Sequence, residues 1–290
     1  MNLDLALLEE EIGRITGENV SILSCQELTG GDINRVYSIE TNQGAKCVKL
    51  NSAIDFPGMF EAEMKGLLEL SRKNTIDVAI PLACGSIEET SFLFLEYIHS
   101  GQQQSTFWID FGRKLAKMHR ATAPFFGLEH NNYIGSLQQS NEHQSSWADF
   151  FITCRLEPQI KLANAQRLLD RKDLDYFEQF YTKIPELFPK ENPSLLHGDL
   201  WQGNFMVGPN GQPVLIDPAV YYGHREMDVS MTLLFGGFPG SFYESYNEQW
   251  PLEAGWRDRV DYCNLYPLLV HLNLFGNSYL PAIRRIIKKF

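Results

Sequence analysis

The sequence predicts an α+β chain of two lobes, the first β-rich with one main helix and the second helical. Three observations carry this. Five strand-like runs fall in the first third, at 20–28, 36–41, 45–50, 82–87 and 91–98, with one long helical repeat among them at 59–70. Beyond them the apolar residues recur at helical spacing, and the two regimes are separated by the polar run His99-Ser-Gly-Gln-Gln-Gln104. A length of 290 residues suits two units of ordinary size, so the expected division is 1–98 and 99–290.

Each element has a local reason. Leu5, Leu8, Ile12 and Ile15 share a helical face, and Gly17 is placed to stop that segment. The strand 20–28 runs into Thr29-Gly-Gly-Asp-Ile-Asn-Arg35, and the next two strands meet at the turn Asn42-Gln-Gly44. In the second part, Phe111, Leu115 and Met118 line one side of a helix over 107–121. Further helices are predicted at 147–169, at 174–184 closed by Pro185, at 227–235 stopped by Gly236 and Gly237, at 256–273 and at 280–289. His119 ends its helix, where packing or dipole compensation is its expected role.

Composition narrows the function classes. Hydrophobic residues make up 44% and charged residues 21%, the mix of an ordinary globular chain. No apolar run reaches the roughly 18 residues needed to span a bilayer, and the start lacks a basic signal region, so a cytoplasmic protein with no membrane partner is expected. A formal net charge of −11 argues against nucleic acid, whose phosphates must be neutralised by Lys and Arg. The basic cluster of Arg284, Arg285, Lys288 and Lys289 is expected to complement the dipole of a terminal helix. Cys25, Cys47, Cys84, Cys154 and Cys263 are odd in number and scattered, as expected of reduced core thiols rather than disulfides or a zinc site. Oligomeric state is not written in the sequence.

The chemistry is concentrated in Leu195-Leu-His-Gly-Asp-Leu-Trp-Gln-Gly-Asn204 and Val214-Leu-Ile-Asp217. An Asp, an Asn five positions on and a second Asp thirteen beyond that match the spacing of kinase-type phosphoryl transfer. There the first Asp receives the proton of the attacking hydroxyl, and the other two hold the magnesium that bridges nucleotide phosphates. Between Asn204 and Asp217 the chain reads as a hairpin, with Asn210-Gly211 suited to a tight turn, and hard-cation oxygen ligands at its two ends.

Lys49 lies in the apolar strand segment Cys47-Val-Lys-Leu50, where a buried charge needs an anion. Nucleotide phosphates and a helix Glu provide one in kinases. Glu63 shares a face with Leu67 and Leu70 and is the expected partner, whereas Glu61 faces elsewhere. Gly30 and Gly31 allow backbone N–H groups to approach phosphate, and Glu96, Tyr97 and Ile98 offer backbone atoms to an adenine edge. Asp32 beside the glycines is repulsive to phosphate unless it points outward. Asp228 either caps its helix or braces the catalytic loop from beneath.

Leu196-His-Gly-Asp-Leu-Trp-Gln-Gly-Asn204, Ile216-Asp-Pro-Ala219, Tyr222-Gly-His-Arg-Glu-Met-Asp228 and Leu234-Phe-Gly-Gly-Phe238 together resemble the fructosamine 3-kinase (ketosamine 3-kinase) family. Tyr133-Ile-Gly135, Trp147, Phe150, Phe151, Arg155 and Leu156 extend the resemblance over nearly the whole chain. It implies a bilobal protein-kinase-like fold, related to aminoglycoside and choline phosphotransferases, that uses ATP and Mg2+ to phosphorylate the 3-hydroxyl of a ketosamine. The product breaks down and frees the amine, so the implied role is repair of glycated amines, free or on protein lysines. Carried over by position, Asp199 is the general base and Asn204 and Asp217 are the metal ligands. Lys49 and Glu63 position phosphate, Gly30 and Gly31 cover it, Glu96, Tyr97 and Ile98 meet adenine, and His197 orients the loop. Trp201 either meets the protonated amine of the acceptor with its ring face or packs the loop against the helical lobe. Two other functions use the same motifs: an aminoglycoside or choline phosphotransferase, which differs only in its acceptor pocket, and a nucleotide-binding pseudokinase, which the intact Lys49, Asp199, Asn204 and Asp217 disfavour.

Overall fold

A computed structural model of the chain describes residues 4–28 and 33–290. The chain divides into two compact units, Met1–Gln104 with Met206–Asp217, and Ser105–Phe205 with Pro218–Phe290.

The first unit opens with α1 (Leu5–Thr16), capped by Asp4, whose carboxylate accepts from the Ala6 and Leu7 amides at 3.0 and 3.3 Å. Gly17 ends it at φ 74°, a left-handed conformation that glycine adopts without strain. Then follow β1 (Ile22–Leu28), β2 (Arg35–Thr41), β3 (Gly44–Ser52), α2 (Met59–Arg72), β4 (Asp77–Val78), β5 (Pro81–Ile87) and β6 (Thr90–Glu96). Five of the strands form one sheet in the order β1-β2-β3-β6-β5, antiparallel throughout. Leu8 and Ile12 of α1 pack with Ile39, Val48, Phe92 and Phe94 of this sheet. β1 is an edge strand with one neighbour, so Cys25 is exposed, and Cys47 and Cys84 are half-buried. Only Cys154 and Cys263 are the core thiols expected, and all five are free.

The chain continues with α3 (Phe107–His119), a hairpin of β7 (Asn132–Ile134) and β8 (Leu137–Gln139), α4 (Trp147–Phe150), a π-helical turn Phe151–Leu156, α5 (Glu157–Ala165), α6 (Arg171–Leu187) and β9 (Ser194–Leu196). Next come β10 (Phe205–Val207), β11 (Pro213–Leu215), β12 (Tyr221–Gly223), α7 (Glu226–Met231), α8 (Gly240–Gln249), α9 (Trp256–Phe275) and α10 (Leu280–Ile287). β11 pairs in parallel with β4, Val214 opposite Asp77 and Leu215 opposite Val78, which ties 206–217 to the first unit. A single cut after Ile98 does not capture that return, because the pairing is long-range and leaves no mark in local composition.

In the second unit, Phe150, Phe151, Phe177, Phe180, Leu265 and Leu269 anchor the core. The predicted helix at 147–169 contains a π-helical turn, and the one at 227–235 ends at Met231. α6 runs through Pro185 to Leu187. The proline removes one donor in the last turn, while a capping box at Asp170 and Asp173 and the burial of Phe177, Phe180 and Ile184 stabilise the rest. α8 is absent from the sequence expectation. It packs on α3 at Gly112, where any Cβ would meet the Phe242 carbonyl. In α10, Arg284 pairs with Asp170 and Asp173 at 2.8 and 2.7 Å, so specific carboxylates as well as the helix dipole hold the basic end. Among the described residues no helix is long and apolar enough to cross a membrane.

Candidate active site

The catalytic-loop motif follows β9, which pairs with β12 through Leu196 and Tyr221. Gly198 turns the chain at φ 82°, and a Cβ there would collide with the Ala219 carbonyl, so the motif's glycine is required by space as well as by conformation. The Asp228 carboxylate accepts from the His197 amide at 2.7 Å and the Gly198 amide at 2.9 Å. It thus braces the loop, and its partners are backbone groups with no signature of their own in the sequence. His119, fully buried, bridges Asp228 Oδ2 at 3.2 Å and the Tyr246 hydroxyl at 2.8 Å, a packed role and not a catalytic one. Burial pushes the Asp228 carboxyl up. The His119 and His197 rings and the Gly198 amide outweigh burial and hold it below the usual carboxylate range.

His197 is buried, and its Nδ1 accepts from the Asp199 amide at 3.2 Å. Asn204 reaches back five positions. Its Nδ2 donates to the Asp199 carbonyl at 2.8 Å and to Asp199 Oδ2 at 2.7 Å. Asp199 and Asn204 therefore come together as the spacing predicts, within the second unit.

In the first unit, Lys49 of β3 is 5% exposed and its ammonium bonds Glu63 Oε1 of α2 at 2.5 Å and Asp217 Oδ1. Glu63, not Glu61, is the partner, because Glu61 points to solvent. Burial pushes the Lys49 ammonium down. The Asp217 and Glu63 carboxylates overcome it and hold Lys49 above its ordinary value, so it stays charged. Burial also raises the Glu63 carboxyl. Asp217 sits at φ 54°, an uncommon conformation for a residue with a side chain. The sequence points Lys49 to Glu63 and to phosphate; that Asp217 shares the same ammonium has no local signal.

The Glu96 amide is spent on the Ile80 carbonyl at 2.9 Å, and its side chain pairs with Lys46 at 2.8 Å. Tyr97 lies edge-on to His99 at 5.1 Å. Gly30, Gly31 and Asp32 lie outside the described residues. Trp201 is half-buried; its ring meets Phe235 edge-on at 5.8 Å and covers Gly203, where a Cβ would touch it at 2.5 Å.

Asn204 and Asp217 each carry an oxygen of the kind that a hard cation takes. Asn204 donates with Nδ2 and keeps Oδ1 as an acceptor, while Asp217 commits Oδ1 to Lys49 with its side chain still 46% exposed. Among the described residues no group of three His, Cys, Asp or Glu gathers as a metal cage. Magnesium is commonly held by one or two protein oxygens plus substrate phosphates and water, and an Asn carbonyl or an Asp carboxylate can each supply such an oxygen.

The fructosamine kinase family model matches residues 6–290. The chain belongs to the fructosamine kinase family. A probable ketoamine kinase of Enterococcus faecium is 39% identical over 91% of this chain and 94% of that protein. The chloroplastic protein-ribulosamine 3-kinase of Arabidopsis thaliana is 38% identical over 94% of this chain and 84% of its own length. The crystal structure of a putative fructosamine-3-kinase from Haemophilus somnus superposes with a TM-score of 0.88 at 28% identity, covering 97% of this chain and 96% of that one. As a family member the chain is a kinase with the protein-kinase-like fold that its sequence predicts.

Proposed function

We propose that the protein transfers the γ-phosphoryl group of ATP, with Mg2+, to the 3-hydroxyl of a ketosamine. The observation that carries this reading is the buried Lys49 ammonium held between Glu63 and Asp217, the lysine–glutamate pair of a kinase with a metal-ligating aspartate added. Asp199 receives the acceptor's hydroxyl proton, and the Asn204 amide fixes the oxygen that takes it. Asn204 Oδ1 and Asp217 hold Mg2+, which when bound neutralises charge on the transferring phosphoryl group. Lys49 positions phosphate. Since the Glu96 amide is occupied, the donor to an adenine edge comes from Tyr97 or Ile98. Gly30 and Gly31 are assigned to the phosphates by position alone.

The relatives' names support the acceptor class: one is a ketoamine kinase, another a protein-ribulosamine 3-kinase. A ketosamine carries a protonated amine near the reacting hydroxyl, and the half-buried Trp201 ring, two residues from Asp199, is our candidate to meet it. Breakdown of the 3-phosphate would free the amine, which makes the reaction a repair of glycated amines. The test is ATP-dependent phosphate transfer to ribulosamine, fructosamine and erythrulosamine adducts with an aminoglycoside control, read by mass detection of the phosphorylated adduct and the released amine. Turnover of the aminoglycoside with no ketosamine turned over would overturn the acceptor and leave only the kinase.

A further inference from the structure

Arg155 is fully buried on the π-helical turn, its guanidinium carbon 3.9 Å over the Tyr221 ring and 4.5 Å over the Phe150 ring. Among the described residues it forms no ion pair. Its Nη1 donates instead to the Ser140 and Cys154 carbonyls at 2.5 and 3.1 Å and its Nη2 to Asn141 Oδ1 at 2.8 Å, while its buried Nε has no hydrogen-bond partner among the described residues. A cation buried without an anion is expensive, so its surroundings must exploit it or be destabilised by it.

One branch of the bonds leading away from Arg155 runs to the backbone after Pro218. Asn141 accepts from Arg155 and donates through Nδ2 to Asn132 Oδ1 at 3.0 Å, and Asn132 donates in turn to the Val220 carbonyl at 2.8 Å. Gln139 joins this chain, donating to Asn132 Oδ1 at 2.8 Å and to the Ala219 carbonyl at 3.2 Å, while the Tyr266 hydroxyl donates to its Oε1 at 2.7 Å. Every one of these side chains is buried. Asn132 and Gln139 thus give N–H groups to the Val220 and Ala219 carbonyls, Asn141 divides its own between Asn132 and the His130 carbonyl, and the Arg155 charge polarises the Asn141–Asn132 branch toward Val220.

That stretch of backbone is not neutral ground. It begins two residues after Asp217, the Ala219 amide donates to the His197 carbonyl at 2.9 Å, and the Ala219 carbonyl lies against Gly198. We propose that Arg155, Asn141, Asn132 and Gln139 form a polarised clamp that fixes the Ala219–Val220 backbone and through it positions the catalytic loop that carries Asp199. Gln139, fed by the Tyr266 hydroxyl, is the positioning residue in contact with Ala219, and Arg155 sets the polarity of the Asn141–Asn132 branch. The inference rests on the proposed kinase reaction, in which Asp199 is the base.

The test compares Gln139→Met, Tyr266→Phe, Arg155→Lys and Arg155→Met with wild type on ATP and a ribulosamine adduct. Gln139→Met should lower kcat about 10-fold or more while KM for ATP stays within about twofold, because a small misplacement of the base costs rate and not nucleotide binding. Tyr266→Phe, which removes one hydroxyl and keeps the ring, should lower kcat in the same sense by a smaller factor. Arg155→Lys, which keeps the charge, should retain more kcat than Arg155→Met. Hydrogen exchange of peptides covering 195–222 supplies a reading without substrate, with faster exchange expected in the Gln139 variant. Folded Gln139→Met and Tyr266→Phe proteins with wild-type kcat, or with a changed KM for ATP and unchanged kcat, would overturn the clamp. A wild type that turns over no ketosamine would instead overturn the function, and unchanged exchange over 195–222 would then overturn the clamp independently.

Discussion

The carboxylate of Asp228 holds the amide of Gly198, thirty positions earlier in the chain, at 2.9 Å, and it takes the adjacent His197 amide with its other oxygen. One buried side chain thereby sets the conformation of the loop that presents Asp199. Asp228→Ala would leave two amides without that acceptor in the interior, at about 1–3 kcal/mol each. Urea denaturation should show a loss of at least about 2 kcal/mol, and steady-state assays of the remaining folded protein a drop in kcat larger than that in ATP affinity. Unchanged kcat would mean that the loop holds its shape unaided.

Gly198→Ala tests space and conformation together. The positive φ alone costs on the order of 1–3 kcal/mol, and the new methyl also meets the Ala219 carbonyl. Gly237→Ala serves as the control, since Gly237 has φ 75° and open space around it. The Gly198 variant should lose clearly more stability than the control and nearly all turnover. Equal losses in the two would show that backbone strain alone accounts for the effect.

Asp199→Asn keeps the size of the side chain and removes its basicity. Turnover should fall by about 10²–10⁴, the range for losing a positioned acid or base, with ATP affinity nearly unchanged. Near-normal turnover would assign the proton to another group.

Asp217→Ala removes a carboxylate from both Lys49 and the proposed metal. Calorimetric titration should show that ATP binding no longer strengthens when Mg2+ is added, and turnover should be lost. A magnesium-dependent affinity equal to wild type would refute the ligand assignment.

Acid stability follows from Glu191. Burial pushes its carboxyl up, but the hydrogen bonds from Arg225 outweigh this and hold it below the usual value. A carboxyl depressed in the folded state binds protons more readily when unfolded, so its contribution is fully present above about pH 5 and is lost as pH falls through its folded value. Glu63, raised in the folded state, acts with the opposite sign. The measurement is therefore a difference: the urea midpoint of Glu191→Gln should fall below that of wild type at pH 7, and the two should converge toward pH 3. A constant difference across that range would show that Glu191 contributes through packing and not through its charge.

The sequence by itself determined the strands and helices whose reasons are local. The five strands of the main sheet fall where the strand-like runs and the turns between them put them, and α1 stops at Gly17 as its spacing predicts. It also determined the chemical identity of the Asp199–Asn204 pair, because five residues of loop are enough to turn one side chain back on the other. Glu63 was likewise readable, since helical periodicity alone separates it from Glu61.

Tertiary structure decided what depends on residues distant in sequence. The sharing of Lys49 between Glu63 and Asp217 spans 168 positions, and the return of the 206–217 hairpin to the first unit rests on a two-residue parallel pairing with β4. The sequence does not separate helix cap from loop brace at Asp228, because its partners are backbone amides identical in kind to every other amide in the chain. The clamp around Arg155 was invisible for the same reason. Asparagine, glutamine and arginine read as surface residues until folding removes water from them, and only then does each buried polar atom have to find a partner.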